Sequence, residues 1–323
     1  MRMESMKKRR ILVLLVLAVM AGSLSERASG GSITKKAWRT VRRVNKEGPY
    51  LGLVVPNSYE LNPLLQSSNF VHSPRLPFLD LAGRRFRFGT VGKEKVIVVM
   101  TGLSMLNAGI STQLLLTLFD VKGVVHFGIA GNANSDLQIG DVTIPRRWAH
   151  TGLWNWQRDM EMVQMMNWPW RPLVTTQEKL EIFPVDGIPE VRQHAFWVSV
   201  NKNYYALSRN LEGLKLPQCI NSTCLRRRAK VLRVENGCSA NAFVDNAGYR
   251  QFLRNKFDVT PIDMESAAVA LVCRQVRVPF IAFRALSDLA GGGSSESNEA
   301  AVFSSLAAQN AVDVVIEFIN LLH

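Results

Sequence analysis

Beyond its first two dozen residues the chain has no apolar run approaching the roughly 20 residues that a membrane-crossing helix needs, so the bulk of it is expected to be soluble. Histidine (5) and cysteine (4) are both scarce. Neither comes at a spacing that supplies a tetrahedral nitrogen and sulfur set, so no metal site is expected. No segment repeats and no linker with a clear composition shift divides the chain, which leaves one domain as the economical count. Acidic residues are outnumbered and the net charge is +13. The basic residues nevertheless lie in small scattered clusters without interleaved aromatics, which argues against a nucleic-acid-binding module.

What is present begins with a basic segment, Arg2 to Arg10, followed by an apolar run over 11–22 and an exit of small residues. This pattern predicts a signal peptide over 1–23, cleaved before Leu24, with an uncleaved anchor as the competing reading. Once the leader is removed no membrane association is expected, and residues 24–48 form a polar lead-in. Secretion places the cysteines in an oxidising compartment. Cys219 and Cys224 flank Ile-Asn-Ser-Thr, a loop that a disulfide could close, and Asn221 is the glycosylation acceptor within it. Cys273, in an alanine- and valine-rich helical run, is expected as a buried thiol.

Residues 49–323 read as one α/β domain. Apolar strands are predicted over 50–55, 95–100, 123–129 and 279–286, with a half-exposed strand over 85–91 and further strands over 139–145 and 229–234. Helices are predicted over 107–119, 203–211, 246–255, 265–275 and 298–322. The alternation of strand, helix and strand points to a parallel core. An insert over about 153–228 shows little periodicity.

Ligands of such sheets bind beyond the carboxyl ends of strands. Three polar groups fall there: Glu60, the pair Met264 and Glu265, and the pair Ser287 and Asp288. Paired carboxylates in one cleft suit glycosidic chemistry, in which a sugar cation develops and a leaving group needs a proton. Each acid taken singly has an ordinary structural role open to it: loop acid, helix-start acid and turn acid respectively.

The run Val259-Thr-Pro-Ile-Asp-Met-Glu-Ser-Ala-Ala-Val-Ala-Leu-Val-Cys273, the run Val278-Pro-Phe-Ile-Ala-Phe-Arg-Ala-Leu-Ser-Asp-Leu-Ala290 and the glycine turn of Val125-His-Phe-Gly-Ile-Ala-Gly-Asn132 resemble the nucleoside phosphorylase superfamily, especially the methylthioadenosine/S-adenosylhomocysteine nucleosidases. The resemblance covers roughly 50–150 and 229–322. Gly152-Leu-Trp-Asn-Trp-Gln157 and the cysteine-bearing insert look like the plant bark storage and wound-inducible members. It implies a three-layer fold with a mixed, mostly parallel central sheet flanked by helices, a purine nucleoside as ligand, no cofactor, a homo-oligomer, and a vacuolar or extracellular destination.

Residue by residue, the resemblance implies that Glu60 activates water and Asp288 protonates the purine, with Ser287 orienting it. Glu265 would hold the ribose hydroxyls, Met264 would pack on the sugar and Phe243 would stack on the base. Thr101 and Gly102 would approach the ribosyl carbon. Phosphate is the alternative nucleophile. An ionised Glu60 would repel its dianion by about 1 to 4 kcal/mol, and the turn over 101–108 contains no arginine to hold it. Hydrolysis is therefore favoured over phosphorolysis, and a storage protein that keeps the fold with little or no catalysis is the alternative. Ser104 and Met105 stand where the nucleosidases commonly have glycine and lysine, and Asn241 where they usually have aspartate.

Overall fold

The computed structural model describes residues 33–155, 176–177, 179–183, 188, 190–220, 223–292 and 299–323. The signal-peptide segment, Asn221 and most of the tryptophan- and methionine-rich stretch lie outside the described residues.

The strands Tyr50–Val55, Glu94–Met100, Val121–Asn132 and Phe280–Leu289 are apolar on both faces, as strands covered by helices on each side must be. Their alternate side chains feed two separate cores. Leu51, Leu53, Val96, Val98, Val125, Phe127, Ile281 and Phe283 enter one, which is closed by Leu61 and Leu64 of the Ser58–Gln66 helix and by the Glu299–Asn320 helix. Val54, Ile97, Val99, Val124, Phe280 and Ala282 enter the other, closed by the Lys35–Asn45, Met105–Leu118 and Ser266–Gln275 helices. Period-two burial into two cores is the physical content of a three-layer α/β fold.

Among the described residues the central sheet has 11 strands. Most of its paired residues lie in parallel ladders: Tyr50–Val55 runs parallel to Glu94–Met100 and to Val121–Asn132, Val142–His150 parallel to Val231–Ser239, and Phe280–Leu289 parallel to Val121–Asn132. The hairpins at Arg84–Val91 and the edge strands are antiparallel. Part of the sheet closes on itself. Phe280–Leu289 pairs with both Val121–Asn132 and Val142–His150, and those two are also joined the other way round through Val231–Ser239 and Val259–Asp263. The carboxyl ends of three of these strands are thereby drawn around one mouth.

Several elements depart from the sequence expectation. The strand expected over 139–145 begins later and runs on as Val142–His150, because Asp141 is buried as a tie-point: it accepts from Arg227 Nη2 at 2.6 Å and Nη1 at 2.8 Å, and from the Lys230 amide at 2.8 Å. The segment after the first strand, for which the sequence predicts no element, is the Ser58–Gln66 helix, started by the Asn57 side chain accepting from the Tyr59 and Glu60 amides. In the insert, Lys202–Leu207 is helical and continues as a 3-10 turn to Leu211. A disulfide joins Cys219 and Cys224 across a two-stranded hairpin, and Cys238 and Cys273 are buried free thiols.

Candidate active site

A cleft of about 200 Å³ opens at the closed part of the sheet. Glu60, Glu265 and Asp288 all line it, with Phe243, Met264 and Ser287. These acids come from the Ser58–Gln66 helix, the start of the Ser266–Gln275 helix and the end of the Phe280–Leu289 strand, so topology brings together residues more than 200 positions apart.

The Glu60 carboxyl is buried, and its Oε1 accepts from the Ile129 amide at 2.7 Å. Its Oε2 is buried with no hydrogen-bond partner among the described residues. Burial pushes the carboxyl up to about 8, against the opposing pull of Arg284 and the Ile129 amide, with Glu265 and Asp263 adding to the rise. The Glu265 Oε1 accepts from the Ser104 amide at 3.0 Å. Its pKa is also raised, by burial first, with Arg284 opposing and Asp263 contributing.

Asp288 is held by its neighbour: Ser287 Oγ donates to Oδ1 at 2.6 Å and lies 3.2 Å from the Ala130 carbonyl. Burial raises the Asp288 carboxyl, the Ser287 bond works against the rise, and Asp245 adds to it. Phe243 is 72% exposed at the lip of the cleft, an aromatic face with no core to fill.

Two of the expected residues do not line the cleft. Thr101 is buried, its hydroxyl donates to the Gly102 carbonyl at 2.7 Å, and the amides of Thr101 and Gly102 bond back to Val55 and Pro56. The chain reaches the cleft one step later, through Leu103 and the Ser104 amide. Ser104 has φ +87°, a conformation that suits glycine. Asn241 accepts from the Met105 amide at 3.1 Å, satisfying one of the unbonded donors at the start of the Met105–Leu118 helix.

Beneath the cleft lies a group to which the sequence motifs give no role. Arg284 is fully buried, with Nε 2.7 Å from Asp263 Oδ2, and Nη1 and Nη2 each 3.7 Å from Glu60 and Glu265 respectively. Asp263 also accepts from the Ser239 and Ser266 hydroxyls and from the Glu265 and Ser266 amides. One guanidinium thus sits among three carboxylates. The signal for it was a charged residue inside the apolar run over 280–286, and a histidine likewise interrupts 124–127.

Three covered layers, a partly closed mixed sheet and an acid-lined cleft at its strand ends define an α/β protein of the nucleoside phosphorylase-like fold class. Residues 50–320 match the family described as the Phosphorylase superfamily, and the chain belongs to that family. It is 32% identical over 281 residues to bark storage protein A of Populus deltoides, spanning 84% of this chain and 88% of that one. It is 28% identical over 243 residues to a 5'-methylthioadenosine/S-adenosylhomocysteine nucleosidase of Geobacillus sp. (strain WCH70), across 74% and 87% of the two chains. Among solved structures it is similar to the futalosine hydrolase of Helicobacter pylori strain 26695, with TM-score 0.61, 19% identity and coverage of 86% and 99%. The 5'-methylthioadenosine/S-adenosylhomocysteine nucleosidase of the same organism, solved with butyl-thio-DADMe-Immucillin-A, gives TM-score 0.61 at 18% identity, covering 84% of this chain and 97% of that one.

Proposed function

We propose that this protein binds a purine nucleoside, such as methylthioadenosine, adenosine or inosine, and hydrolyses its N-glycosidic bond. The observation that carries the reading is Glu60: a buried carboxyl anchored through one oxygen, with the other unpartnered among the described residues, in the same cleft as a second acid, Asp288. In this scheme Asp288 gives its proton to the base as the bond from the ribosyl carbon to nitrogen breaks. Ionised Glu60 takes a proton from the water whose oxygen bonds to that carbon. Glu265 accepts from the ribose hydroxyls, Met264 packs on the sugar, Phe243 stacks on the purine and Ser287 orients Asp288. The names of the nucleosidase relatives support the substrate class.

The test is to incubate purified protein with several nucleosides, with and without phosphate, and follow free base by chromatography. Release that does not depend on phosphate is expected. Release only with phosphate would assign phosphorolysis instead.

The 32% identity to a bark storage protein favours a second reading, a nitrogen reserve that keeps the fold with weak or silent catalysis. No release under any condition, with nucleoside still bound, would support it. Secretion to a vacuolar or extracellular site belongs to both readings and is supported by the Cys219 to Cys224 disulfide. A homo-oligomer is supported by Leu103, Leu106 and Ile110, which are 58, 70 and 47% exposed beside the cleft. Light scattering in solution tests it.

A further inference from the structure

Arg284 lies within ion-pair distance of Glu60 and Glu265, but 3.7 Å is too long for a hydrogen bond to either. Its position is therefore set by other partners. Nε is held by Asp263, and Nη1 reaches the Ile129 carbonyl at 3.3 Å. Nη2 donates to His126 Nε2.

His126 is fully buried in the Val121–Asn132 strand, where its backbone is in register with Ala282, so that its ring and Arg284 share one face of neighbouring parallel strands. Its Nδ1 is 2.8 Å from the Val54 carbonyl. A carbonyl only accepts, so Nδ1 carries the hydrogen; a guanidinium only donates, so Nε2 presents the lone pair. Burial, with Arg284 beside it, keeps the ring well below its ordinary pKa and hence neutral. Both ring nitrogens are occupied, and the imidazole links the first strand of the sheet to the arginine.

We propose that His126 is a positioning residue: by occupying Nη2 it holds the Arg284 guanidinium back from Glu265, leaving that carboxylate free to accept from the sugar hydroxyls. This rests on the nucleoside reading above. Without the imidazole, Nη2 would turn onto Glu265 Oε2 and form a close charge-assisted hydrogen bond, which competes with the ribose for the same oxygen.

Two substitutions separate the functions of the ring. His126→Asn keeps a donor near the Nδ1 position but is too short to reach Arg284. His126→Gln places an amide oxygen near the Nε2 position. Loss of an outer-shell partner of a metal ligand costs about 10- to 100-fold in affinity or activity, and a comparable range is expected for a group that orients a binding carboxylate's neighbour. We expect His126→Asn and His126→Ala to raise the nucleoside KM by at least about 10-fold, with a smaller change in kcat, and His126→Gln to stay within about threefold of wild type. The Kd of adenine, which has no sugar, should be unchanged in all three.

Wild-type KM in His126→Asn, or a His126→Gln as impaired as His126→Asn at the same melting temperature, would overturn the proposal. If wild-type protein releases no base, the same comparison is made on the Kd of the intact nucleoside, so that loss of the hydrolytic reading is distinguished from loss of this one. A readout independent of nucleoside is nitrogen NMR of histidine-labelled protein, with His126→Asn identifying the resonance. The neutral Nδ1–H tautomer is expected at neutral pH, and an Nε2–H tautomer refutes the arrangement.

Discussion

Arg284 Nη1 stands 3.7 Å from Glu60 Oε1, and both groups lie over Gly128, where an added β-carbon would collide with each of them. The glycine is there because a cation and a carboxylate need the space above its α-carbon. Gly128→Ala should therefore cost several times the roughly 1 kcal/mol of an average substitution and lower base release by at least about 100-fold. Thermal melting and chromatographic assay of the same preparation check both effects.

Asp288 lines the cleft and accepts from Ser287, so an amide of the same shape should be accommodated without unfolding. Asp288→Asn removes the transferable proton and should reduce release by about 10²- to 10⁴-fold, the usual contribution of a general acid. An unchanged melting temperature with unchanged turnover would show that the proton comes from elsewhere.

The raised Glu60 carboxyl has a consequence for stability. The folded protein holds this proton until about pH 8, whereas the unfolded chain releases it near 4.5. The associated stabilisation is complete below pH 4.5 and is lost as pH rises through about 8, with an upper bound of about 5 kcal/mol at 1.36 kcal/mol per unit. In Glu60→Gln this loss should be absent, so the difference in denaturant midpoint between variant and wild type should widen from pH 4.5 to 8 and then level off. Because hydrolysis needs ionised Glu60, wild-type kcat/KM should show a titration near pH 8.

Ser104 adopts φ +87° at the entrance to the Met105–Leu118 helix, and its side chain makes no capping bond there. Backbone strain of this kind costs of order 1 to 3 kcal/mol. Ser104→Gly should raise the melting temperature while leaving the Ser104 amide in place for Glu265. A lower melting temperature would mean that the serine side chain contributes more than its backbone conformation costs.

Phe243 is 72% exposed, so its removal should leave stability within about 0.5 kcal/mol of wild type. If its ring stacks on the base, Phe243→Ala should weaken adenine binding by about 0.5 to 1.5 kcal/mol, roughly two- to tenfold. Calorimetry with adenine measures this directly.

The parts of the fold legible in the sequence were those with a strong local signature. The strands ending near Val55 and Leu286 stand out because burial on both faces leaves unbroken apolar runs, and the acids that follow them are conspicuous for that reason. The Ser58–Gln66 helix was hidden by Pro63, which interrupts its pattern and takes away one backbone donor. Arg284 and His126 were visible as oddities inside apolar strands, but their partners lie as far apart as Val54, Glu60 and Glu265, and no local pattern encodes that convergence. Thr101 and Gly102 lie off the cleft lining, their amides tied to the carbonyls of Val55 and Pro56 at the end of the first strand and the Thr101 hydroxyl to the Gly102 carbonyl.

The sheet finishes on one side with the three-residue strand Trp197–Ser199, and on the other with Phe70–His72 and Phe78–Leu81, which divide the outer edge of Arg84–Val91 between them. Such short margins give another copy little backbone to zip onto. Crowded molecules are thereby discouraged from joining edge to edge into fibres, a safeguard useful to a catalyst and indispensable to any chain hoarded in bulk.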